Sequence, residues 1–262
     1  EALTGRGILP TNSAPVVVAT PTEVAEVIPA PETEVPTATL EPTPTNTLEP
    51  TLTPTPTDTP APTATPFGGG GGQIAFVSDR TGTSQIYIIN SDGTDERPIT
   101  NIPDGACQPD WSPDGMRIVF TSPCEVDEDI LAGASLYIMD ANGSNLVQLP
   151  TIPGGDFEPA WSPKDNKIAF TSLRDGYMQI YTINLDDNSV QRLTETKKVN
   201  NEFTRHPAWS PFGNQIAYAI QRYSAYQIWT MTDAGESQEQ LTQSGYDVWD
   251  TNPVWSPDGE VI

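Results

Sequence analysis

The chain has 262 residues, with 35 Asp and Glu against 12 Lys and Arg and a formal net charge of −23. A surface this negative repels phosphate backbones, which excludes nucleic acid as a partner and leaves cations, basic protein surfaces or solubility alone as what the charge serves. The longest apolar stretches, such as Val16-Val17-Val18-Ala19, fall far short of the roughly 20 residues of a membrane span.

In chain order, the first feature is a composition boundary near residue 67. Before it, Thr, Pro, Glu and Ala dominate. Such a sequence cannot bury enough apolar surface to offset chain entropy, and its prolines favour an extended, polyproline-like conformation. Residues 1–67 are therefore expected to form a Thr/Pro-rich stalk or linker. Thr43, Thr45, Thr51, Thr53, Thr55, Thr57, Thr63 and Thr65 sit in the Thr-Pro pattern that suits mucin-like O-glycosylation; a bare disordered linker is the alternative. The chain opens at Glu1 instead of methionine, so any signal peptide or membrane anchor is expected upstream, and contact with a membrane only through it. Residues 68–72 are five consecutive glycines, a hinge that decouples stalk from domain.

From residue 73 onward, short apolar runs alternate with turn signals. Ile74-Ala75-Phe76-Val77 and Ile86-Tyr87-Ile88-Ile89 read as strands, followed by Asp92-Gly93 and Pro98-Ile99-Thr100. The same order returns as Leu136–Met139, Asn142-Gly143 and Val147–Leu149. It returns again as Ile180–Ile183, Asp187-Asn188 and Gln191–Thr194, and as Ile228–Met231, Ala234-Gly235 and Gln240–Thr242. Asp92-Gly93 is a strong signal for a primed hairpin turn, which needs positive φ. The units read as four-stranded antiparallel meanders.

A second motif keys the repeat. Pro109-Asp110-Trp111-Ser112-Pro113, Pro159-Ala160-Trp161-Ser162-Pro163, Pro207-Ala208-Trp209-Ser210-Pro211 and Pro253-Val254-Trp255-Ser256-Pro257 place Trp111, Trp161, Trp209 and Trp255 about 45–50 residues apart, the length of one propeller blade. Each Trp is expected to pack between blades, and Ser-Pro-Asp-Gly to make a tight turn with glycine at positive φ. Two units depart from it, at Lys164-Asp165-Asn166 and Phe212-Gly213-Asn214, where Gly, Asn and Asp tolerate the left-handed region and should preserve the turn.

These residues resemble the WD40-like (PD40) propeller repeat of the TolB family, whose pattern runs Pro-x-Trp-Ser-Pro-Asp-Gly, Ile-Ala-Phe, Ile-Tyr, Asp-Gly and Leu-Thr. The resemblance covers residues 73–262 and implies an all-β fold, a β-propeller of four-stranded antiparallel blades, with protein–protein contact through a propeller face. The register favours four blades: three whole units plus one composite, in which Val254-Trp255-Ser256 joins Ile74-Ala75-Phe76. Propellers of this kind commonly have six blades, so the ring could instead be open. Glu260-Val261-Ile262 repeat the register of Gln73-Ile74 and could pair with a neighbouring molecule.

Candidate chemistry is sparse. Cys107 and Cys124 flank the hairpin turned at Ser112–Gly115 and are expected to form a disulfide, which implies an oxidising compartment; two free, part-buried thiols are the alternative. His206, the single histidine, is expected in the loop before Trp209 and lacks companion ligands for a metal. Glu125, Asp127, Glu128 and Asp129 form an acidic insertion that could hold Ca²⁺, although it lacks the Gly-spaced pattern of an EF-hand loop and also reads as a solvated loop. Asn142-Gly143-Ser144 fits the N-glycosylation pattern. Tyr223, Tyr226, Trp229, Tyr246 and Trp249 enrich the last part of the domain in aromatics, as an exposed patch or as blade packing. No Gly-x-Ser-x-Gly elbow is present.

The resulting expectation is a non-enzymatic extracellular or cell-surface propeller (periplasmic as second choice). It would carry no catalytic residue and no cofactor apart from the Ca²⁺ candidate. Its partners would be proteins, including copies of itself in a filament, and glycans on the stalk. The ectodomain of a membrane-anchored receptor is the alternative, and a carbohydrate-active enzyme the weakest reading.

Overall fold

The computed structural model describes residues 72–124, 131–150, 152, 155–196, 202–243, 245 and 247–262. The stalk, most of the glycine hinge and the acidic insertion Glu125–Asp129 lie outside them, as does Tyr246.

The described residues form fifteen strands and no helix. β1 (Gln73–Ser78), β2 (Gln85–Asn90) and β3 (Arg97–Pro98) make a three-stranded sheet. Three four-stranded sheets follow. The first holds β4 (Cys107–Trp111), β5 (Arg117–Ser122), β6 (Ser135–Asp140) and β7 (Val147–Gln148). The next holds β8 (Asp156–Trp161), β9 (Lys167–Ser172), β10 (Gln179–Asn184) and β11 (Val190–Arg192). The last holds β12 (Phe203–Trp209), β13 (Gln215–Arg222), β14 (Ala225–Thr232) and β15 (Glu239–Gln240). Every ladder is antiparallel between consecutive strands. The expected all-β fold of four-stranded blades is thus the observed one.

The second strand of each full sheet explains why its sequence is apolar throughout rather than alternating. Ile118, Val119 and Phe120, like Ile168, Ala169 and Phe170, are buried on both faces, because the sheets stack face to face. Three apolar layers result. Ile86 and Ile88 pack on Ile118 and Phe120; Val119, Leu136 and Leu149 pack on Trp161, Ile168 and Phe170; Ala169, Ile180 and Leu193 pack on Trp209, Ile216 and Tyr218. The outer strands β3, β7, β11 and β15 are two or three residues long, which keeps the sheet edges poor templates for unwanted pairing.

The composite first blade differs from expectation. Among the described residues the first sheet has only β1–β3, and Val254–Ser256 do not supply its fourth strand. The physical reason is that Trp255 is held at the other end of the chain: its indole Nε1 donates to Ala208 O on β12 at 3.1 Å. Ser256 then closes its own turn, donating its N–H to Val261 O at 2.8 Å. The segment starts a further repeat on the fourth sheet.

Two turns also differ. The hairpin at Asp92-Gly93 is not a primed turn: only Gly93 is left-handed (φ 84°), its N–H donates to Asn90 O, and Asp92 caps Thr94 N–H through its carboxylate. This is a type I turn closed by one left-handed residue. At Lys164-Asp165-Asn166 the turn survives without any residue at positive φ, because Ser162 Oγ accepts Asp165 N–H at 3.2 Å and Ser162 N–H still reaches Lys167 O.

Cys107 and Cys124 are disulfide-bonded, 17 residues apart. The bond needs Gly105: a Cβ there would lie 2.4 Å from Cys124 O. Closing a loop of this length removes unfolded-chain entropy. We therefore expect the double variant Cys107→Ser/Cys124→Ser to lose about 3 kcal/mol, read as a lower denaturant midpoint with a steeper slope as the uncross-linked unfolded chain exposes more surface, and an oxidised wild type that shows no shift on reduction would contradict it.

Candidate protein-interaction site

The strands β4, β8 and β12, where neighbouring sheets meet, each carry one extra residue: the register shifts between Cys107 and Asp110, Phe157 and Ala160, and Arg205 and Ala208. Gln108, Glu158 and His206 sit in these bulges at φ 54°, 54° and 55°, and Asn252 holds the same position at 54°. Each precedes a proline, which has no N–H to lose from the ladder.

A bulge re-aims its side chain and releases its N–H from the ladder. That donor is buried and needs an acceptor. The preceding sheet supplies it: Glu158 N–H donates to Gln108 Oε1 at 2.8 Å, and His206 N–H to Glu158 Oε2 at 2.9 Å. Threonine hydroxyls brace both acceptors, Thr121 on Gln108 and Thr171 on Glu158. Asp110 plays a parallel part, its Oδ2 accepting Trp161 N–H at 2.6 Å and its Oδ1 accepting Trp111 N–H. The tryptophans add a second tie, with Trp209 Nε1 donating to Ala160 O at 3.0 Å.

His206 is therefore not in a loop but inside β12, because the bulge lets the strand continue past it. Its Nε2 lies 2.9 Å from Glu158 Oε1, which also accepts Arg205 Nε at 2.9 Å and a second Arg205 nitrogen. Burial by itself would raise the Glu158 carboxyl. The hydrogen bond and charge of His206, then those of Arg205, outweigh it and hold the group at about 2. Asp110 has only backbone donors, and burial pushes it up to about 6 against them. Sequence reading missed Gln108, Asp110, Glu158 and Arg205. The available signal was the polar residue before the proline of each Pro-x-Trp motif.

The surface feature of the domain lies at one end of the fourth sheet. Tyr223, at φ 58° in the β13–β14 turn, and Trp249 are 70% and 71% exposed. Trp249 meets Tyr226 edge-on with centroids 5.9 Å apart, and its Nε1 donates to Ser224 O at 2.9 Å. Tyr226 is tied by its hydroxyl to Gln221 Oε1. Tyr226 and Trp249 are thus held in place, with Tyr223 exposed one residue from the carbonyl that holds Trp249. Trp229 is different: it lies half-buried beneath the Arg222 guanidinium, 4.7 Å from it, against the core. Asn142 is exposed in the β6–β7 turn, its Oδ1 accepting Ser144 N–H. Among the described residues no three His, Cys, Asp or Glu side chains cluster to hold a metal ion.

The TolB beta propeller domain matches residues 131–262. A 52-residue stretch, 20% of this chain and 8% of the relative, is 46% identical to the Uncharacterized peptidase YuxL of Bacillus subtilis. A 51-residue stretch, 20% of this chain and 12% of the relative, is 39% identical to the Protein TolB homolog of Chlorobium chlorochromatii. The putative TolB from Agrobacterium tumefaciens superposes with a TM-score of 0.58 at 26% identity, over 72% of this chain and 68% of that one. The peptidase relative overturns the expectation that the chain is non-enzymatic: at 46% identity its repeat is shared with a protein named as an enzyme, and the repeat carries no information against catalysis.

The buried cluster sets the acid response. Glu158, held below its ordinary value, contributes stability that is present above about pH 4.5 and lost as pH falls toward 2. Asp110, held above its ordinary value, contributes stability that is present below about pH 4 and lost as pH rises through 6. Thermal unfolding should thus be most resistant near pH 4–5, and Asp110→Asn should flatten the limb between pH 4 and 6. Glu158→Gln removes the buried carboxylate that Arg205 and His206 share and is expected to cost about 3–5 kcal/mol by denaturant titration at pH 7; a loss within the error of a surface substitution would contradict the joint.

Proposed function

The chain belongs to the TolB β-propeller domain family, and from that premise we propose that it is an extracytoplasmic protein-interaction module. The propeller is carried on the Thr/Pro-rich stalk of residues 1–67, which bears O-linked sugars, and serves as a subunit of an extracellular filament. The observation that carries the interaction is the aromatic end of the fourth sheet. Trp249 stands exposed on a fixed frame and Tyr223 is exposed next to its anchor Ser224, and a rigid aromatic gives large contact area at small entropic cost. The Cys107–Cys124 disulfide supports an oxidising compartment, periplasmic or beyond the cell.

A second reading rests on the 46% identity to a peptidase: the propeller handles peptides for a peptidase activity. Hydrolysis of a peptide library by the natively purified protein separates the two.

For the first reading, cross-linking on intact source cells followed by mass spectrometry should yield protein adducts at peptides containing Tyr223 or Trp249, and Trp249→Ala should remove most of them. The intact mass should exceed the 28.3 kDa polypeptide by increments of hexose. Recovery from the cytosol with free thiols and the bare mass would overturn it.

A further inference from the structure

The second sheet, which has a neighbour on each face, departs from its sisters at a rim that is otherwise polar. Four residues after Ser112, Ser162 and Ser210 stand Met116, Asn166 and Asn214. Opposite the residue that follows Tyr87, Tyr137, Tyr181 and Trp229 stand Arg97, Val147, Gln191 and Glu239. At both positions the second sheet is apolar where its sisters are polar. Both residues are open to water: Met116 is 69% exposed and Val147 57%, with Leu146 beside it at 51%. An exposed apolar edge of this kind recruits other chains unless something covers it.

The same sheet carries the chain's single Asn-x-Ser/Thr sequence, Asn142-Gly143-Ser144. It forms the β6–β7 turn, in the middle of the apolar rim. Ala141 N–H donates to Met116 O at 2.8 Å. Met116 and Asn142 border one open hollow of about 450 Å³, and Leu146 and Val147 leave the turn on its other side. Gly143 takes the close contact with the first sheet, where a Cβ would lie 2.5 Å from Ile99 O, and Asn142 next to it is exposed.

The turn does not require an amide at this position. Asn142 Oδ1 accepts Ser144 N–H at 2.9 Å and lies 2.6 Å from the Ser144 hydroxyl. In the sister turns a carboxylate does the same work: Asp92 Oδ1 accepts Thr94 N–H at 2.9 Å and the Thr94 hydroxyl at 2.7 Å, and Asp187 Oδ1 accepts Ser189 N–H at 2.9 Å. One oxygen is all that the cap uses. Asn142 adds a nitrogen, Nδ2, that makes no hydrogen bond among the described residues and faces solvent beside the patch.

We infer that Asn142 Nδ2 carries an N-linked sugar chain, and that this chain covers the apolar rim formed by Met116, Leu146 and Val147. The acceptor sequence and an exposed turn are what such a modification needs, and its product is bulky and solubilising. In the transfer, Nδ2 loses a proton to the base of a glycan-transferring enzyme and bonds to the anomeric carbon of a glycosyl diphosphate. The carbon–oxygen bond of that donor breaks, and the diphosphate leaves with the electron pair. The sister sheets keep their rims soluble with Arg97, Gln191 and Glu239; the second sheet does so with a sugar. This rests on the extracytoplasmic reading above and is separate from the O-linked sugars of the stalk.

The test treats the natively purified full chain with mild alkali, which strips sugars from Thr and Ser hydroxyls and leaves amide-linked ones. Fragmentation mass spectrometry of the peptide spanning Asn142 should then still find sugar mass on that residue. An unmodified Asn142 in a protein with an oxidised disulfide and a sugar-bearing stalk overturns the inference and leaves the broader reading standing; free thiols and a bare mass overturn both. Asn142→Asp, which keeps the Oδ1 cap, and Ser144→Ala, which keeps the amide, should each lose the mass. Asn142→Asp should also self-associate at lower concentration than the wild type, and adding Met116→Asn with Val147→Gln, the third sheet's residues at these positions, should reverse this. An Asn142→Asp protein as soluble as the wild type overturns the covering role.

Discussion

A buried backbone N–H that its own sheet cannot pair is the constraint on which this structure turns. The bulges at Gln108, Glu158 and His206 take these residues out of their ladders. Each freed donor must find an acceptor in a place water does not reach. For Glu158 and His206 the acceptor comes from the sheet before, as a side chain at the same position in the preceding repeat. One irregularity therefore both creates the need and aims the group that meets it, and repetition turns it into a chain of ties from sheet to sheet.

The position holds Gln108, Glu158 and His206, of which Gln108 and Glu158 accept the next bulge's N–H, and the choice of residue sets the local electrostatics. Glu158 receives a cation from the following sheet in Arg205, together with the His206 ring, and stays ionised. Asp110 makes a comparable bridge with backbone dipoles alone, and burial dominates. Two carboxylates with similar structural tasks thus diverge because one has charged neighbours and the other does not.

Stacking by repetition also decides where the molecule is available to others. Faces between sheets are consumed by the core, and outer strands are too short and too exposed to recruit partners. What remains among the described residues is the aromatic end of the fourth sheet. The relatives show how little the repeat itself restricts function: the same pattern serves a TolB homolog and a protein named as a peptidase. Function on such a scaffold resides in the surfaces added to it.

The sequence by itself determined the fold class, the number and order of the strands within each repeat, and the pairing of Cys107 with Cys124, because these depend on local periodicity and on residues close along the chain. It carried the tie residues too, but in a form that looked like ordinary polarity: Glu158, Arg205 and His206 span 48 residues and declare themselves only when the sheets stack. It also placed His206 in a loop, since a polar residue before proline looks like a strand end until the bulge is seen. The tertiary structure alone decided that Trp255 docks on the fourth sheet and not beside β1. The motif Pro-x-Trp-Ser-Pro is indifferent to which sheet follows it. Its hydrogen bond to Ala208 and its burial depend on which neighbour stands within reach, and the placement of the sheets in space settles that.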